Sequence, residues 1–363
     1  VQEFLAPDGR FDLEAARRSG YQGPLDMEGF ASTNDPLMGQ PLFQRSATHE
    51  TADDPDDIYW DNSLSPSLPG VDGSVQALTV FDGKLIAGGG FTIAGGVTVN
   101  FIAAWDGSSW SALGSGMNGQ VQTLTVFDGK LFAGGYFTTA GGVVASYIAA
   151  WDGSSWSALG SGMNSIVYTL TVYDGRLIVG GAFTTAGGVA VSYIAAWDGS
   201  SWSALGSGMG GGGYPGVYAL TVFDAKLIAG GYFTTAGGVA ANYIAAWDGS
   251  SWSALGSGMN SSVRALIVYD GKLCAGGDFT TTGGVAANDI AAWDGSSWSA
   301  LGSGMDGSVY DLTVYNGKLI AGGPFTTAGG VGVSYIASWD GSSWSALGAG
   351  MSNTVFALTV YDA

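Results

Sequence analysis

The side chains with chemical potential in this chain are concentrated in one phrase, "WDGSSW", whose six copies begin at Trp105, Trp151, Trp197, Trp247, Trp293 and Trp339. The paired Trp rings offer faces on which a sugar could stack, and equally the flat apolar bodies that pack one repeat on the next. Their recurrence at the same two places in every copy favours packing. The Asp of each phrase is a carboxylate with the chemistry of an acid or a calcium ligand. A catalytic pair breaks the symmetry of a repeat, whereas these carboxylates keep it, and Asp followed by Gly is turn chemistry.

The remaining reactive types are few. "DDPDDIYWDN" (Asp53 to Asn62) is the densest acidic run, but it lacks the alternating oxygen ligands and the Gly of a calcium loop, so it reads as a solvated linker. Cys274 is the only cysteine, which excludes an internal disulfide and a Cys-based metal site. It stands where other repeats carry Ile, as a small buried hydrophobe does. His49 is also alone, in a polar linker. No nucleophile with a base, no metal cluster and no phosphate loop emerges, so no catalytic, cofactor or metal residue is expected, and no enzyme.

Composition narrows the partners. A net charge of -19 with only 11 Lys and Arg, none clustered, argues against nucleic acid and anionic membranes, because phosphate binding needs grouped cations. No stretch approaches the roughly 20 apolar residues of a membrane-spanning helix. Val1 in place of Met fits an exported protein whose leader has been removed, which gives an expected location outside the cell or on its surface.

The elements that position these residues follow from the repeat. The "WDGSSW" copies are 46 residues apart except between Trp197 and Trp247, where the interval is 50. Within one unit, "VQTLTVF" (Val121 to Phe127) alternates and is rich in β-formers, and Asp128-Gly129 is the dipeptide of a two-residue type I′ hairpin. Then come "KLFAGGYFT", a Gly-rich loop "TAGGVVAS", "YIAAW", a second Asp-Gly turn at Asp152 and Gly153, and "SSWSALGSGM". That is a four-stranded antiparallel meander, strands a to d, and this period with this strand count predicts a β-propeller.

The Gly pair closing strand b (Gly134, Gly135), the aromatic ending strand c (Trp151) and the Trp opening strand d (Trp156) resemble the kelch-type blade over residues 57–363. Trp-Asp-Gly stands where the usual kelch blade has Tyr-Asp before a longer turn, so the chain looks like a kelch-like relative rather than a standard member. The resemblance implies a fold and leaves the function open. "WDGSSW" is also similar to the Asp-box turn of sialidases, but Gly directly follows Asp, the spacing differs and no arginine triad is apparent.

Full repeats are expected at 75–117, 121–163, 167–209, 217–259, 263–305 and 309–351. "DIYWDNSLSPSLPG" (Asp57 to Gly70) aligns as a worn c and d, and residues 355–361 as a lone strand a. The expected fold is therefore an all-β, seven-bladed β-propeller of four-stranded antiparallel blades, closed by pairing the amino-terminal and carboxy-terminal strands, with one strand b still to be filled. That strand would lie between acceptor strands containing Val355, Ala357, Leu358, Thr359 and Val360 on one side and Ile58, Tyr59 and Trp60 on the other. "EFLAPDGRF" is the candidate to fill it, with Glu3, Phe4, Leu5, Ala6 and Phe11 matching "KLIAGGGF" (Lys84 to Phe91). An open slot exposes unpaired backbone on two neighbours. Between the two lies a 12–56 insertion with a short helix, "DLEAARRSG", and a hairpin around "NDPLMGQPLF".

The tight-turn side is nearly invariant from repeat to repeat, and the side carrying the d to a and b to c connections varies. Position two of strand a reads Gln76, Gln122, Tyr168, Tyr218, Arg264, Tyr310 and Phe356, and one longer connection reads "GGGGYPG". Tyr168, Tyr214, Tyr218, Arg264, Tyr310 and Phe356 are therefore the candidate recognition face. Two functions are expected. The first is a non-enzymatic, self-associating structural protein, each chain donating its amino-terminal strand to the incomplete blade of a neighbour, head to tail, into fibres. The second is a monomeric binding module for a glycan or a protein on the variable face.

Overall fold

Alternating residues that run into a dipeptide able to hold two positive φ angles give the backbone a local reason to reverse and pair with itself. In the computed structural model this happens at every strand a to b turn: Asp128 and Gly129 have φ of 48° and 69°, and Asn316 and Gly317 have 48° and 72°. At Asp224-Ala225 even an alanine is held at φ 56°. The structure describes residues 70–361, together with the backbone of two strands at 30–34 and 41–45. The chain divides into two units, Val1–Trp60 and Asp61–Ala363. In the first, Phe30–Asn34 pairs antiparallel with Pro41–Arg45.

Among the described residues the second unit holds six four-stranded antiparallel sheets, each in the order a-b-c-d. Sheet two is representative, with a at Val121–Phe127, b at Lys130–Gly135, c at Ile148–Trp151 and d at Trp156–Ala158. Strand a of each repeat lies beside strand a of the next. Six sheets side by side around a cavity lined by their first strands form a β-propeller. No helix among the described residues is long and apolar enough to cross a membrane.

The packing between sheets is written into the repeat. A Cβ on Gly88 would sit 2.5 Å from Val121 Cγ1 of the following sheet, and one on Gly322 would sit 2.5 Å from Val355 Cγ1. The first Gly of each pair thus lets the next strand a lie flat against strand b. The second Trp of each motif from Trp156 onward is tied to the sheet before it: the indole N–H of Trp156 donates to Leu113 O at 2.9 Å, and that of Trp344 to Leu301 O at 2.9 Å. The ring packs between neighbouring sheets and its one polar atom is satisfied there.

Two local details depart from expectation. The second Asp-Gly turn is a four-residue loop, because Trp151 pairs directly with Trp156 and Asp152–Ser155 lie between them. The Asp side chain builds that loop: Asp152 Oδ1 accepts the amide N–H of Ser154 and Ser155 and the Ser154 hydroxyl, all at 2.8 Å. These donors hold its carboxyl well below the usual range, so Asp152 is structural. The Gly-rich b to c loop contains a small hairpin of its own, Thr139–Ala140 with Val143–Val144, turning on Gly141 and Gly142 at φ 58° and 82°.

Candidate functional site

The second glycine of each pair prepares the site. A Cβ on Gly135 would meet the carbonyl oxygen of Gln120, so only Gly lets strand a approach there, and the ladder shifts register at that point. Gly134 pairs with Thr123 and Gly135 with Val121, which leaves Gln122 bulged out of the ladder. The same shift falls at Gln76, Tyr168, Tyr218 and Arg264. A bulged residue is freed from pairing and its side chain is re-aimed, so this position can vary without cost to the sheet.

These residues meet. A cavity of about 280 Å³ is lined by side chains from seven successive segments, among them Gln76, Gln122, Tyr168, Tyr218, Arg264, Tyr310 and Phe356. Tyr168 and Tyr218 pack edge to face with centroids 5.3 Å apart, and Tyr310 and Phe356 are stacked at 5.6 Å with planes 16° apart. The Arg264 guanidinium lies between the two pairs, 5.9 Å from the Tyr218 centroid and 5.3 Å from that of Tyr310. Its Nε donates to both carboxylate oxygens of Asp278, at 2.7 and 2.8 Å. Burial raises the phenol pKa of Tyr168 and Tyr218 above the ordinary value, which keeps both as neutral hydroxyls.

Asp311 stands deeper in the wall. It is the one charged residue at its repeat position, where the other segments carry Ala77, Thr123, Thr169, Ala219, Ala265 and Ala357. Its Oδ1 accepts the N–H of Leu312 at 2.9 Å and its Oδ2 that of Leu358 at 2.6 Å, which ties the sixth sheet to the 355–361 segment. Although partly accessible to solvent, the carboxyl is surrounded by protein, and burial pushes it up to about 7 against the opposing pull of the two amides. Asp289, where four of the other five repeats have Tyr, is pushed up to about 6 by burial and then by the charges of Asp278 and Asp306.

Five of the six expected recognition residues therefore line one cavity, and Tyr214 does not. It is 90% exposed, at the tip of the longer connection. Sequence reasoning does not single out Asp311, Asp278 or Asp289. The signal was present in the aligned repeats, where each is a lone charge among neutral residues. Of the expected assembly residues, Glu3, Phe4, Leu5, Ala6, Phe11, Ile58, Tyr59 and Trp60 lie outside the described residues, as does the expected helix. Val355 packs on Gly322, and Ala357 and Leu358 line the cavity. Thr359 is half-buried and Val360 is exposed, and no strand among the described residues pairs with 355–361. Cys274 is buried, and burial pushes its thiol up to about 12, so it packs as a hydrophobe.

Comparison with known proteins gives a family described as "Domain of unknown function (DUF5122) beta-propeller", matched over residues 128–149 and 174–195. No curated protein sequence matches the chain. Among solved structures the chain is similar to the computationally designed Ika8 protein at 17% identity, covering 81% of this chain and 94% of that one with a TM-score of 0.49. It is similar to the WD40 β-propeller domain of Doa1 at 16% identity, covering 70% and 90% with a TM-score of 0.43. For YjhT the identity is 14%, with 75% and 96% covered and a TM-score of 0.45. The propeller assignment rests on the sheet order and the shared cavity, and these likenesses add no function.

Proposed function

We propose that this chain is a kelch-like propeller of seven blade positions that acts outside the cell as a non-enzymatic binding module, with its ligand seated at the aromatic mouth of the central cavity. The observation that carries the reading is the convergence of Tyr168, Tyr218, Arg264, Tyr310 and Phe356, from five different repeats, on one concave site. The seven lining segments favour seven positions. Closure is favoured by the Tyr361 hydroxyl, which donates to Gly83 O of the first sheet at 3.4 Å. Tyr173 makes the equivalent bond to Ala225 O of the sheet after its own, at 3.2 Å. The test is a screen of soluble glycans and short peptides against the wild type and a Tyr168→Ala/Tyr310→Ala double variant of unchanged fold. Ligands lost in the variant support the mouth; a ligand held equally by both proteins places recognition elsewhere.

A second reading, head-to-tail assembly by strand donation, is favoured by one feature: 355–361 is extended and has no ladder partner among the described residues. With Cys274 replaced by Ala, Phe4→Cys combined with Leu358→Cys distinguishes the outcomes on a denaturing gel. A ladder of cross-linked chains supports assembly, a cross-linked monomer supports closure within one chain, and no cross-link in this or either adjacent register removes the strand from the slot.

A further inference from the structure

The mouth has a chemistry more specific than an aromatic surface. We infer that it takes the ring of an uncharged saccharide, an inference that rests on the mouth being the ligand site. A pyranose presents C–H groups on its faces and hydroxyls around its edge. It therefore needs a flat aromatic wall beside fixed planar groups that both donate and accept hydrogen bonds.

Both are present. The stacked Tyr310 and Phe356 and the edge-to-face Tyr168 and Tyr218 supply the wall. Arg264 supplies the rigid edge: its Nε is spent on Asp278, and its Nη atoms have no partner among the described residues. The amides of Gln76 and Gln122 complete the rim. At about 280 Å³ the cavity lies just below the roughly 300–1,000 Å³ range of drug-sized sites, the scale of one ring or one chain end.

Other ligand chemistries fit less well. A cationic ligand would seek the space between Tyr218 and Tyr310, and Arg264 already fills it. An anion would find the single guanidinium neutralised by Asp278 and the Asp311 carboxyl in the cavity wall, in a chain of net charge -19. A proline-rich peptide would use the rings, and its carbonyls would accept from the Arg264 Nη atoms, but its prolines have no N–H to donate to the glutamine amide oxygens.

The test follows the Arg264 Nε–H resonance of the ¹⁵N-labelled protein, assigned by its disappearance in Arg264→Lys. The neutral probes are the methyl glycosides of glucose, galactose and mannose, and N-acetylglucosamine. Choline, galacturonic acid and a proline-rich peptide are the contrasting probes. The expected result is a saturable shift with at least one neutral sugar, weakened about tenfold in Tyr310→Ala. Phe356→Ala serves if Tyr310→Ala loses its melting transition. A shift with choline, galacturonate or the peptide and none with the neutral sugars overturns the ligand class while leaving the mouth as the site. No shift with any probe, or sugar binding that survives both variants, removes the mouth as well.

Discussion

The outer part of each sheet and the innermost strand obey opposite rules. In the outer part, strands b, c and d repeat almost without change, because the buried side chains there serve the packing of one sheet on the next. The Gly pair admits the neighbouring strand, and the motif Trp bonds the preceding Leu carbonyl. In strand a, the bulged second position serves neither ladder and is free to differ, and the third position carries the lone Asp311. A substitution in the outer part should therefore disturb folding and leave recognition alone. One at the cavity should do the reverse.

The contrast is sharpest at the glycines. In Gly230→Ala the new Cβ falls 2.5 Å from Val263 Cγ1 and 2.9 Å from Val263 Cβ of the next sheet, a β-branched side chain with little freedom to swing aside. The expected loss is about 3 kcal/mol in chemical denaturation, at the upper end for overpacking. An unchanged midpoint would show that the sheets separate more easily than their packing implies. Next is Trp298→Phe, which strands the Leu255 carbonyl that now accepts the indole N–H at 3.1 Å. About 1–2 kcal/mol should be lost, with binding at the mouth untouched.

Asp311 blurs the contrast, since it both lines the cavity and braces two segments. Its unfolded carboxyl titrates near the ordinary value of about 4, and its folded one near 7. Between these, the folded state holds a proton that the unfolded state has released, so this group makes stability fall as pH rises through the window. Asp289 acts in the same direction up to about 6, so the measurement must be a difference. In Asp311→Thr, the residue found at Thr123 and Thr169, Tm relative to wild type should rise between about pH 4 and pH 8 by several degrees. A pH-independent difference would mean that Asp311 is not titrating there.

The smallest effect belongs to Tyr214. At 90% exposed and outside the cavity lining, Tyr214→Ala should change stability by less than about 0.5 kcal/mol. It should also leave any mouth ligand bound with wild-type affinity, and a loss of binding would extend the site onto the longer connection.

What the sequence determined by itself is what depends on near neighbours in the chain. Alternation sets the strands, and Asp128-Gly129 sets a reversal because two adjacent residues must both accept positive φ. The even spacing of Trp105 to Trp197 sets repeats of one shape. Even there, the four-residue Asp152–Ser155 loop was not legible, because its geometry comes from one carboxylate accepting four donors rather than from a dipeptide preference. Only the tertiary structure decided which variable residues share a site. Tyr214 and Tyr218 are four apart in sequence, yet only Tyr218 lines the cavity; Tyr310 lies far along the chain and brackets the same Arg264. A cavity walled by one strand from each repeat brings together residues about one period apart and separates neighbours. The local pattern that builds each strand carries no information about that meeting, which follows from how the sheets pack around their shared centre.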